Sequence, residues 1–113
     1  MKLEETIILK VYSTSAGRQP FNEWKSSLDK IANSIVSIRI SRIRAENFGD
    51  YKRIQGCKGI FELRIAHGPG YRIYFGKSGS KIVVLLAGGD KGSQLRDIER
   101  AKKYWLDYLG KIK

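Results

Sequence analysis

The spacing of apolar residues changes character near residue 50. From Phe21 onward they fall at Phe21, Trp24, Leu28, Ile31, Ile35 and Ile38, in alternating steps of three and four, which is the period of a helix. The stripe then moves to Val36, Ile40 and Ile43, with the cations Arg39, Arg42 and Arg44 expected on the solvated side. One helix over 20–47 would be about 42 Å long at 1.5 Å per residue, too long for a domain of this size. A break near Asp29, which can cap a second helix, converts it into an α-hairpin. Pro20 suits a first helical turn, where its missing N–H costs nothing, and Gly49 supplies a stop after Phe48.

On either side of this region the period is that of strands. Ile7, Leu9 and Val11 alternate with Ile8, Lys10 and Tyr12, which predicts a strand over 5–12. In the second half, Tyr51–Gln55, Ile60–Ala66, Tyr71–Phe75 and Ile82–Ala87 read as four strands. They are separated by the glycine-bearing turns 56–59, 67–70 and 76–80. Ile82 to Leu86 does not alternate, as expected of a central strand covered on both faces. Gly88 to Gly92 reads as a loop, and Ser93 as the cap of a last helix reaching Tyr108. Tyr104, Trp105 and Tyr108 share the helical spacing of residues that pack on a sheet. The expected order is β-α-α-β-β-β-β-α: a single α+β domain over 1–113 with a mostly antiparallel, twisted sheet.

Composition changes this picture in one respect. Lys and Arg number 22 against 11 Asp and Glu, a formal net charge of +11, so a polyanion is the natural partner. A hydrophobic fraction of 42% over 113 residues supports a core and argues against disorder. One cysteine, Cys57, excludes an internal disulfide and a four-cysteine zinc site; one histidine, His67, excludes a histidine-rich metal centre. The first residues carry acids where a secretory signal needs cations, and the longest apolar run, 82–87, is far short of the roughly 18 residues of a membrane span. A cytoplasmic protein without membrane attachment is expected.

Candidate chemistry concentrates on the hairpin 60–75. With a loop over 66–70, Ile65 faces Tyr71, Arg64 faces Arg72 and Glu62 faces Tyr74. Two arginines directly opposite each other repel, so the pair is either screened by Glu62 on a solvated face or used to hold an anion. Lys91 follows the central strand on a glycine-flanked loop before a helix, where backbone N–H groups favour phosphate. Gly88-Gly89-Asp90-Lys91-Gly92-Ser93 lacks P-loop spacing, so nucleotide hydrolysis is not expected. Asp90, Asp97 and Glu99 form no metal-ligand pattern, and no metal or cofactor is expected. His67 reads as an exposed turn residue and Cys57 as an inert one.

Three segments in this order carry a resemblance. Gly59-Ile60-Phe61-Glu62-Leu63-Arg64, Gly68-Pro69-Gly70-Tyr71-Arg72-Ile73-Tyr74-Phe75, and Leu85-Leu86-Ala87-Gly88-Gly89-Asp90-Lys91-Gly92-Ser93-Gln94 with Asp97, Ile98 and Ala101 resemble the RelE/ParE superfamily of type II toxins. Phe21-Asn22-Glu23-Trp24 and the Ile38–Arg44 helix are similar too, and the closest group is the phage-derived HigB-like addiction module killers. The resemblance implies a RelE-like fold and a metal-independent, ribosome-dependent mRNA endonuclease. It also implies a cognate antitoxin, of the helix-turn-helix DNA-binding type, as partner. Arg72, Arg64 and Lys91 carry over as the cations around the scissile phosphate. Glu62 stands where RelE-type toxins favour lysine, and no tyrosine near Lys91 matches their C-terminal one.

The reaction these residues suit is attack of a 2′-OH on the adjacent phosphate, giving a cyclic phosphate and a 5′-OH. Positioned cations stabilise its charged transition state. Arginine stays protonated and cannot be the base, which leaves Glu62 or His67 as proton acceptor. Lys52, Arg53, Lys58, Tyr74 and Gln94 are the candidate nucleic-acid contacts. Two other readings stay open: a non-catalytic inhibitor of DNA gyrase, as ParE-like members are, and a basic RNA- or protein-binding module that shares only the fold.

Overall fold

In the computed structural model, which describes residues 7–112, Asp29 does what its position predicts. Its carboxylate accepts from the Ala32 N–H at 2.9 Å and caps the second helix, so the apolar stripe divides into α1 (Pro20–Ser27) and α2 (Lys30–Arg44). The strands are β1 (Ile8–Val11), β2 (Tyr51–Arg53), β3 (Ile60–Ile65), β4 (Tyr71–Ser78) and β5 (Ile82–Asp90), and α3 (Gln94–Lys111) follows β5. The order matches the sequence expectation. Residues 5 and 6 of the expected first strand lie outside the described residues.

The five strands form one mixed sheet in the order β1-β5-β4-β3-β2. Three pairings are antiparallel and one, β1 with β5, is parallel. That parallel contact makes β5 an interior strand, one in from the edge and covered on both faces, which is why its sequence does not alternate: Val83 and Leu85 face one layer of helices, Val84 and Leu86 the other. A bulge between Tyr74 and Phe75 sets Tyr74 against Ala87 and Phe75 against Leu85, leaving Leu86 as the extra residue.

Helices α1 and α2 cover one face. Phe21, Val36 and Ile43 pack there on Leu63, Ile65, Ile73, Phe75, Val83 and Leu85. The stripe read from sequence is rotated along α2. Ala32, Val36 and Ile43 are buried, whereas Ile31 and Ile38 are more than half exposed. Arg39 also departs from expectation: its guanidinium turns inward and donates to the carbonyls of Arg64 (3.1 Å) and Phe48 (3.2 Å). Burial, and after it the neighbouring Arg42, lowers its pKa from the ordinary arginine value.

Helix α3 covers the other face through Ala101 and Trp105. The Trp105 ring lies on Gly76, where an added Cβ would clash with it, and its Nε1 donates to the Lys58 carbonyl at 3.2 Å. Tyr108 stacks on Trp105 and Tyr104 on Tyr12. The Tyr12 hydroxyl donates to Asp107 at 2.5 Å; burial first, then this carboxylate, push its pKa up to about 12.

Several boundaries correct the sequence reading: β2 stops at Arg53, short of Gln55, and β4 runs on through Gly76-Lys77-Ser78, expected as turn. Gly88-Gly89-Asp90, expected as loop, continues β5 opposite Ile73, Arg72 and Tyr71. Ser93 holds the N-cap position of α3 as expected but makes no side-chain cap bond there; Asp90 instead caps a 3-10 turn, Lys91–Ser93, that leads into the helix. The Asp90 carboxylate accepts from the Ser93 N–H (3.1 Å) and the Ser93 hydroxyl accepts from the Asp90 N–H (3.3 Å). Among the described residues no helix is long and apolar enough to cross a membrane.

Candidate functional site

The hairpin register sets the site. Arg64 stands opposite Arg72, Glu62 opposite Tyr74 and Ile65 opposite Tyr71, as loop length and alternation require. Arg72 is followed across the next ladder by Gly89, and the chain leaves β5 there for the turn holding Lys91. The Lys91 N–H donates to the Gly70 carbonyl at 2.9 Å, which fixes Lys91 beside the hairpin tip, one residue beyond the Tyr71–Asp90 pair. Arg64, Arg72 and Lys91 are thus brought to one end of the sheet.

They are not equally accessible. The Arg72 side chain is 11% exposed and lies 3.6 Å from Glu62, which is fully buried. Arg64 is 39% exposed and reaches the more superficial Asp50 at 3.4 Å; Lys91 is exposed. The polar face of the hairpin is therefore not a solvated one, because α3 lies over it. Glu62 also accepts from the Gln94 amide at 2.7 Å, so both carboxylate oxygens are directed at side chains of the fold.

Burial corrects two assignments. Glu62 is sealed beneath α3 and held between Arg72 and Gln94, so it does not reach a substrate hydroxyl as a proton acceptor; it is an internal counter-ion. Tyr74 is fully buried and offers no ring face to a nucleotide. Burial, then the negative field of Glu62, hold its phenol well above the ordinary tyrosine pKa. Glu62 Oε1, Arg64 Nε, Arg72 Nε and Tyr74 Oη are buried without a hydrogen-bond partner among the described residues, an unusual concentration at one place. His67, the other candidate acceptor, is exposed at the hairpin tip with its ring near that of Tyr71.

The remaining candidates divide by position. Lys52 pairs with Glu62 across β2–β3, and with Arg53 and Gln94 it borders a hollow of about 350 Å³. Lys58 precedes β3 and accepts from Trp105 through its carbonyl, at the opposite end of the sheet from Lys91, so it does not join the cluster. Among the described residues no group of three or more His, Cys, Asp or Glu side chains is arranged to hold a metal ion.

A concavity that the sequence does not announce lies elsewhere on the described residues. A groove of about 820 Å³ runs between α1 and α3 along the end of β5, bordered by Trp24, Tyr71, Arg96 and Arg100. The four-residue step between Arg96 and Arg100, on one helical face, was the available signal. Asp97, beneath them, is 4% exposed and accepts from the Ser93 hydroxyl.

An α+β domain with one mixed sheet and a buried ion pair under its last helix is the class this geometry defines. No family model matches the chain and no solved structure matches it. It is 45% identical over 83 residues to an uncharacterized protein of Haemophilus influenzae, a match covering 73% of this chain and 82% of that protein. The chain belongs to the same family as that protein.

Proposed function

We propose that this protein is the toxin of a type II toxin–antitoxin module with a RelE-like fold, and that it cleaves mRNA on the ribosome without a metal of its own. The observation that carries the reading is the juxtaposition of Arg64, Arg72 and Lys91 at one end of the sheet, around a guanidinium already oriented by a buried carboxylate. Cations fixed before the substrate arrives stabilise developing phosphorane charge without reorganisation.

The roles follow from exposure. Arg64 and Lys91 meet the phosphate from solvent. Arg72, held by Glu62, presents its partly exposed edge from below. Gln94 restrains Glu62, and through it Arg72, and so acts as a positioning residue. Lys52 and Arg53 extend the basic surface along the exposed edge strand β2. The attacking group is the RNA's own 2′-OH, and His67 is the accessible proton acceptor near the hairpin tip. An acidic antitoxin segment is the expected natural cover for a surface of this charge, and the site of action implies the cytoplasm.

The test is mapping of mRNA 5′ ends after brief expression, comparing the wild type with Lys91→Ala and Arg64→Ala. New in-frame 5′-OH ends in the wild type that fall at least tenfold in either variant support the reading. Growth arrest without new ends, together with stalled replication, would instead identify a gyrase inhibitor. Neither variant leaves a buried charge unpaired, so folding does not confuse the result.

A further inference from the structure

Strand β1 is shorter than the strand it pairs with. It contacts β5 only from Ile82 to Leu85, and the chain then turns away through residues 13–19 into α1. The last part of β5 has β4 on one side and no strand on the other, and the groove between α1 and α3 runs along that open edge. Gly88 and Gly89 leave part of its floor bare: a Cβ at Gly88 would enter the Trp24 ring and one at Gly89 the Asp97 carboxylate.

The walls combine cations and aromatic rings. Among the described residues Arg96 and Arg100 have no ion-pair or hydrogen-bond partner, whereas the groove's carboxylates are engaged: Glu23 pairs with Arg18, and Asp90 and Asp97 accept from Ser93. The charge left free is therefore positive. Trp24, Tyr71 and Tyr104 are each partly exposed along the same groove. Flat rings interleaved with free guanidinium groups suit bases and phosphates together; the carboxylates of an acidic peptide would use the cations and leave the rings unmatched.

This groove is continuous with the cationic cluster. Ser93 and Arg96 are shared with a hollow beside Lys91, and Gln94 links that hollow to the one bordered by Lys52, Arg53 and Glu62. We propose that single-stranded RNA passes around the start of α3, and that the groove between α1 and α3 binds the nucleotides on one side of the cleaved bond. Phosphates contact Arg96 and Arg100, and bases lie against Trp24 and Tyr104. The inference rests on the ribonuclease reading above, but it concerns binding and is tested apart from cleavage.

The probe is a fluorescein-labelled single-stranded 2′-O-methyl oligonucleotide, which cannot be cut because the attacking hydroxyl is blocked. Binding to the whole chain is followed by anisotropy over a range of salt, and by tryptophan emission. Trp24 lines the groove whereas Trp105 is buried away from it. Arg96→Ala/Arg100→Ala is expected to bind at least tenfold more weakly, to lose the quenching, and to lower the salt slope by about 1.4, at roughly 0.7 for each phosphate no longer neutralised. Arg42→Ala, on exposed α2 surface, is the unchanged control. Wild-type affinity in the double variant overturns the groove assignment, and if Arg64→Ala/Lys91→Ala then weakens binding, the ribonuclease reading stands without it. Preferential binding of a glutamate-rich peptide, with the same quenching, overturns it in favour of an acidic protein segment. No binding of the probe by the wild type also overturns it, and the 5′-end mapping then decides the ribonuclease reading alone. Probe binding without new mRNA ends keeps the groove and removes the nuclease.

Discussion

The two faces of the sheet are built by different rules. Beneath α1 and α2 the fully buried side chains are all apolar, from Leu63 and Phe75 to Val36 and Ile43, and Arg39 reaches in only from the margin. Beneath α3 it is apolar only at the Trp105 end, with Ile60, Val84, Leu86 and Ala101; toward the start of the helix it contains Glu62, Arg72, Tyr74 and Asp97. An apolar layer gains stability from every contact, whereas a buried ion pair returns little of its desolvation penalty. The charged band therefore marks where the fold is not optimised for stability, next to the exposed cations Arg64 and Lys91.

The comparison breaks most visibly on truncation of each face. Phe75→Ala should lower stability by about 3–5 kcal/mol in denaturant titration, the usual cost of removing a large buried ring. Glu62→Ala should cost a similar amount, about 3–5 kcal/mol, for a different reason: it strands Arg72 without its carboxylate. The decisive variant is Glu62→Met/Arg72→Met. Well-packed apolar replacements of a buried pair are commonly neutral or stabilising, so this protein should melt at or above the wild-type temperature while losing mRNA cleavage. A double variant as unstable as Glu62→Ala would show that the charged band supports the fold after all.

Arg72→Ala sharpens the same point. From sequence, its opposition to Arg64 suggests that removal would relieve repulsion if the face were solvated. With Glu62 buried at 3.6 Å the sign reverses, and the variant should melt lower than the wild type. Loss of toxicity in Arg72→Ala alone therefore does not separate catalysis from folding, and Lys91→Ala carries that comparison.

A smaller effect separates the α3 face by pH. Tyr12 and Tyr74 are both held in the protonated form, so their phenols should ionise last when absorbance near 295 nm is followed on raising pH. For Tyr12 the folded value is raised above the ordinary one, so its contribution is complete below pH 10 and is lost as pH rises toward about 12. Tyr12→Phe should remove one late-titrating group at a stability loss of about 1 kcal/mol. The smallest change is local to the other face: Asp29→Ala removes the α2 cap and should cost about 1 kcal/mol.

Much of this architecture is legible in the residues because local rules decide it. Asp29 caps, Pro20 starts a helix, and a five-residue loop leaves only one register in which Arg64 meets Arg72. What α3 covers is not a local property. Alternation places Glu62 and Tyr74 on the polar side of a hairpin, but nothing in 60–75 announces that a helix tens of residues later will lie over them. Arg39 misleads for a similar reason: its helical phase says solvent, yet the Phe48 carbonyl beyond the helix end and the Arg64 carbonyl of β3 sit within reach. The groove along β5 depends on where β1 stops, which an alternating pattern does not mark.

The parallel contact between β1 and β5 has a consequence for the order of folding. Ile8 finds its strand partner only at Ile82, whereas β3, β4 and β5 are joined through short connections. The loop closed by β1 is by far the largest in the sheet, and its entropy must be met before the contact repays it. The three-strand meander should therefore form first, with β1 docking onto a preformed edge. During synthesis β1 waits for β5, the last of the five strands, so a chain still held on a ribosome through β5 lacks both its completed sheet and α3.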